Sequence, residues 1–143
     1  MDEVRLGQAL EGVVGVALAQ SLASEFMKIR QDLATKTLER ASPGKFVEVF
    51  VQCLQQMDRG SYDAKPNVDV YLTTKAESTS LPEGLRICGA RIARSIYTLR
   101  NKRNIAHKNE VDPNTYDLAF AHNGAAWIMA EMIRVAKGVS MQE

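Results

Sequence analysis

The run PEGLRICGARIARSIYTLRNKRNIAH, residues 82–107, decides how the chain is read. Pro82 and Glu83 open it, and Leu85, Ile92, Leu99 and Ala106 then recur every seven residues, with Cys88 and Ile96 between them. That spacing gathers apolar side chains along one seam of a helix reaching His107. Arg100 and His107 each stand one position after a seam residue, so a regular helix turns them about 100° from the seam, onto a flank open to a ligand or a second chain. They share that flank, since seven residues make nearly two turns and separate them by about 10 Å along the axis.

Working outward, the same logic accounts for most of the chain. From Gly7 to Arg40 there is no proline, and Leu18, Leu22, Phe26, Ile29 and Leu33 keep helical spacing, predicting one long helix bent near Gly12 or Gly15. Ser42 before Pro43 is a hydroxyl cap followed by the helical position that tolerates proline. Phe46, Val49, Phe50, Cys53 and Met57 carry that second helix to Gly60. Residues 61–80 break the pattern and read as an ordered loop, in which Val68, Val70 and Leu72 alternate with polar neighbours like a short extended stretch. Asp112 and Pro113 repeat the cap signature, and Leu118, Ala121, Ala125, Ile128, Met132 and Val135 define a last helix ending near Lys137 and Gly138. The expectation is an all-α fold, a four-helix up-and-down bundle with a longer loop between helices 2 and 3, formed as one domain over residues 1–143.

Composition narrows the function classes. At 45% hydrophobic and 24% charged, the 143 residues have ordinary globular values, which argues against a disordered or fibrous chain. The longest strongly apolar stretch, Val13 to Ala19, is far short of the roughly 20 residues that span a bilayer, so no membrane segment is expected. Cys53 and Cys88 cannot form a disulfide framework, and Met1-Asp2-Glu3 lacks the basic flank of a secretory signal, which points to the cytoplasm. Two histidines and two scattered cysteines fail the spacing of a zinc site, and no cofactor is expected.

Charge is unevenly placed. Between Gly84 and Asn109 stand Arg86, Arg91, Arg94, Arg100, Lys102, Arg103 and Lys108 without one acidic residue, leaving 11 of the 18 basic residues to face all 17 acidic ones elsewhere. A protein of net charge +1 has thus concentrated positive charge on one helix, as a phosphate-binding surface would. The competing reading is a solvated face paired with acids of neighbouring helices such as Glu39, Glu48 and Asp58. Near its end the helix adds Asn101 and Asn104 to Arg100 and His107: a cation, two amides and the one side chain that titrates naturally near neutral pH.

Arg100, Asn101 and, after five more residues, His107 resemble the signature of the HEPN superfamily, an arginine and a histidine separated by four to six residues at the end of the third core helix. The resemblance covers about Leu85 to Val135. It implies a metal-independent RNA endonuclease acting as a homodimer, with two copies of the motif facing a composite cleft, of the kind found in toxins and phage-defence effectors. His107 would be the general acid or base, Arg100 the electrostatic stabiliser of the phosphorane, and Asn101 an orienting donor. Lys102, Arg103, Asn104 and Lys108 would hold the RNA. An antitoxin or other regulatory protein is an implied partner. Some toxin subfamilies carry a modified tyrosine two residues after the histidine; Asn109 stands there in this chain.

Other readings lead elsewhere. A catalytically silent HEPN-like module would bind RNA or a protein without cleaving, and a plain dimerising scaffold would ignore RNA altogether. His122 reads as a structural histidine, Trp127 as a core or dimer-contact aromatic, and Cys88 as an inert thiol on the buried seam.

Overall fold

The computed structural model describes residues 2–36, 42–103 and 115–142. All regular structure among them is helical. Helix α1, Glu3–Val14, is capped by Asp2, whose side chain accepts the Arg5 N–H at 2.9 Å. Helix α2, Val16–Thr35, follows after a single residue. That residue is Gly15, at φ 85° and ψ 167°, a conformation closed to residues with a Cβ, and it converts the expected single long helix into two. They fold back as a hairpin: residues 3, 4 and 7 of α1 face residues 20 to 25 of α2, while Glu11 lies near Ala17.

Helix α3, Pro43–Arg59, begins and ends where the sequence says it should. Ser42 accepts the Lys45 N–H at 3.2 Å, and Gly60 closes the helix at φ 75°. Phe46, Val49, Phe50 and Cys53 are buried and form the centre of the core. Of the segment read as a loop, residues 61–67 are one, but the expected extended stretch is instead wound into short turns: α4, Val68–Val70, a wide π-type turn at Tyr71–Lys75 and a tight turn at Ala76–Ser78. Val68, Tyr71, Leu72 and Ala76 drop into the core from it, which is helical spacing, not the alternation of a strand.

A second π-type turn, Gly84–Gly89, leads directly into α5, Ala90–Arg103. Its extra residue resets the phase of everything that follows. The seam counted from Leu85 would run through Cys88, Ile92, Ile96 and Leu99. Leu85 and Ile96 are fully buried as expected, but Ala90 and Ala93 are buried with them, Ile92 and Leu99 are only half-buried, and Cys88 is exposed. Helix α6, Thr115–Gln142, buries Leu118, Ala121, Ala125, Ile128 and Met132 as expected and continues through Gly138, where the sequence suggested a stop. Helices α5 and α6 approach closely at Gly124, where a Cβ would lie 3.0 Å from both Ile92 Cγ2 and Ile96 Cδ1. The Asp112–Pro113 cap lies outside the described residues. No described helix is long and apolar enough to cross a membrane.

Candidate functional site

The phase change in α5 moves Arg100. It continues the inward line of Ala93 and Ile96, so it is half-buried at the end of the core, where the sequence placed it on an open flank. Its side chain lies across the first turn of α3: a Cβ on Gly44 would stand 3.0 Å from Arg100 Nε and 3.2 Å from Cδ. Nη1 donates to Asn101 Oδ1 at 3.0 Å, and Nε is buried without a hydrogen-bond partner. A shallow cavity of about 170 Å³ adjoins the guanidinium, lined also by Ser42, Lys45, Glu48 and Tyr97. This neighbourhood was not legible in the residues, because Ser42 and Gly44 read only as the start of a helix.

The arrangement is electropositive at its centre. The first turn of α3 presents the positive end of the helix dipole, although Pro43 has no N–H and Ser42 accepts those of Lys45 and Phe46. Arg100 adds a permanent cation, and Lys45 a second that is partly offset by Glu48 at 3.2 Å. A planar guanidinium beside a helix N-terminus can hold an oxyanion and stabilise negative charge developing on it.

Asn101 and Lys102 are exposed on α5, and Arg103 is the last described residue of that helix. Asn104, His107, Lys108 and Asn109 lie outside the described residues, so the pairing of Arg100 with His107 remains an expectation of the sequence.

Of the remaining basic residues, Arg91 and Arg86 converge on Glu77. Arg91 Nε donates to its carboxylate at 2.6 Å and Arg86 Nη1 to its main-chain carbonyl at 3.1 Å. The Arg91 hydrogen bond holds the Glu77 carboxyl below its ordinary range. The acid that meets the basic helix thus comes from the 61–80 segment. Of the acids named from the sequence, Glu48 pairs with Lys45, Asp58 makes no ion pair among the described residues, and Glu39 lies outside them. Arg94 is exposed.

His122 stacks on Phe26, ring centroids 5.8 Å apart, and its Nδ1 lies 3.2 Å from Asn123 Oδ1, a packing role as the sequence suggested. Trp127 is 40% exposed and so is not a core residue; Phe120, two turns earlier on the same face of α6, is 44% exposed. Burial pushes the Cys53 thiol up to about 12, which leaves it unreactive. Compared with known proteins, the chain matches no family model, no curated protein and no solved structure.

Proposed function

We propose that the chain is a metal-independent RNA endonuclease of HEPN type, a cytoplasmic homodimer built on a four-helix up-and-down core and suited to a toxin or phage-defence role. The 2′-hydroxyl attacks the adjacent phosphorus, its proton passes to a base, and the 5′-oxygen leaves with a proton from an acid. His107 supplies proton transfer. One such group per chain favours a dimer in which the second chain contributes its own. Arg100 stabilises the phosphorane and Asn101, which accepts its Nη1, keeps it oriented. Lys102, Arg103, Asn104 and Lys108 hold the backbone of the RNA. An antitoxin or regulatory protein would restrain the activity.

The observation that carries this reading is the state of Arg100: a half-buried guanidinium beside a helix N-terminus, with Nε lacking a partner. Leaving such a donor unsatisfied costs about 1–3 kcal/mol, a cost that an oxyanion would remove. The test is an RNA incubated in excess EDTA. Products ending in a 2′,3′-cyclic phosphate, and no cut where a single 2′-deoxy nucleotide precedes the scissile bond, support the proposal. Cleavage that needs a divalent metal, or that ignores the missing 2′-hydroxyl, refutes it.

One observation favours a second reading, a silent HEPN-like module that binds RNA or protein. Arg100 stands on the packed line of α5 against Gly44, a position that also serves packing between α5 and α3. Salt-sensitive RNA binding with no product would select it.

A further inference from the structure

Between the last turn of α3 and the 63–80 segment lies a cleft of about 560 Å³, within the range of small-molecule sites. One wall is the π-type turn Tyr71–Lys75, a local geometry frequent at functional sites. Tyr71 lines the cleft at only 7% exposure, and its hydroxyl has no hydrogen-bond partner. Burial first, and Asp58 second, push its pKa up to about 12, so the phenol stays a neutral donor across the physiological range.

Several polar groups on the walls are already engaged. Gln55 Nε2 donates to Asp63, whose N–H donates back to Gln55 Oε1, and Arg59 donates to Ser61 O and Asp63 Oδ1. What remains unpaired is a mixed set: the Tyr71 hydroxyl, itself buried just behind the wall, the Lys75 ammonium and the Asp58 carboxylate, none with a hydrogen bond or ion pair among the described residues. The carbonyl end of α3 adds partial negative charge beside Asp58.

From this juxtaposition we infer that the cleft binds a free α-amino acid. A phosphate or other bare anion would face Asp58 and the carbonyl end of α3, and a bare cation would face Lys75 and Arg59. A zwitterion answers both: its ammonium meets Asp58 and the α3 terminus, while its carboxylate accepts from Tyr71 and Lys75. An α-amino acid carries its ammonium and its carboxylate on one carbon, which suits a hydroxyl, an ammonium and a carboxylate lining one cleft. The site uses none of the residues assigned to RNA cleavage, so it stands or falls separately.

The test titrates the purified full chain with each standard amino acid at millimolar concentration, following backbone amide shifts and melting temperature. Sodium acetate and methylammonium chloride serve as half-ligands. At least one amino acid is expected to shift amides within residues 58–80 and raise the melting temperature, with neither half-ligand doing so. Tyr71→Phe, which removes only the orphaned hydroxyl, should weaken that binding about tenfold, as expected for one lost buried hydrogen bond. Lys75→Ala, at an exposed position, should weaken it without affecting the fold. The inference is overturned if no amino acid perturbs those amides, if acetate or methylammonium alone does as well, or if both variants bind like the wild type.

Discussion

The guanidinium of Arg100 lies over Gly44, so closely that a methyl group on residue 44 would meet its Nε at 3.0 Å. Gly44→Ala should therefore displace Arg100 while leaving the fold intact. The substitution gains about 0.5–1 kcal/mol of helix preference, which offsets the crowding, so the melting temperature should barely move. RNA cleavage should still fall at least about tenfold, because misplacement of about 1 Å can cost up to about 100-fold. Unchanged cleavage with a displaced Arg100 would separate the guanidinium from the chemistry.

The turn between α1 and α2 depends on Gly15. Gly15→Ala should destabilise the protein by about 1–3 kcal/mol in chemical denaturation, the usual cost of forcing a Cβ into this region of backbone space. Gly12→Ala is the internal control. Nothing lies within 4 Å of a Cβ at residue 12, within α1, so that change should be neutral or stabilise by about 0.5–1 kcal/mol. Similar effects of both would contradict the hairpin.

Close packing of α5 on α6 at Gly124 makes a second structural prediction. Gly124→Ala should cost about 1–3 kcal/mol by overpacking against Ile92 and Ile96, in spite of alanine's better helix preference. Removing Ile96 Cδ1 with Ile96→Val should recover part of that loss in the double variant, a coupling that a double-mutant cycle in denaturant measures directly.

Much of this architecture was legible in the residues. The Ser42 cap, the Gly60 stop and the buried faces of α3 and α6 follow from spacing and terminal chemistry. What the residues concealed has one physical form: a local departure from 3.6 residues per turn. A π-type turn at Gly84–Gly89 leaves its own Cys88 exposed to solvent and rotates α5 after it, bringing Arg100 in toward α3. A heptad count cannot register one inserted residue when alanines and isoleucines occupy both phases. A bend near Gly12 or Gly15 was expected, though not the full reversal at Gly15, and the winding of residues 68–78 was hidden because it depends on packing into a core built from elements distant in the chain. At the candidate site, Arg100, Asn101 and Lys102 could be nominated from the sequence, but the α3 terminus beside them could not.

The Glu77–Arg91 pair carries a pH signature. The folded-state pKa of Glu77 is held below its ordinary value of 4.5, chiefly by the Arg91 hydrogen bond. Its contribution to stability is therefore complete above that ordinary value and fades as pH falls through the lowered one. Melting temperatures of wild type and Glu77→Gln should differ at neutral pH and converge in acid. Because the pair is exposed, the gap should be small and should shrink in high salt. A gap that widens on acidification would reverse the sign assigned here.

The most direct measurement of the central claim is the single-turnover rate of RNA cleavage in excess EDTA, for wild type beside His107→Ala and Arg100→Ala, each confirmed to be folded. Metal-free cleavage by the wild type is predicted, with His107→Ala reduced by about 10²–10⁴-fold, the usual worth of a positioned acid or base. Arg100→Ala should fall by about 10²–10³-fold, the usual worth of one donor to transition-state charge. Wild-type cleavage that both variants retain in full would contradict the account.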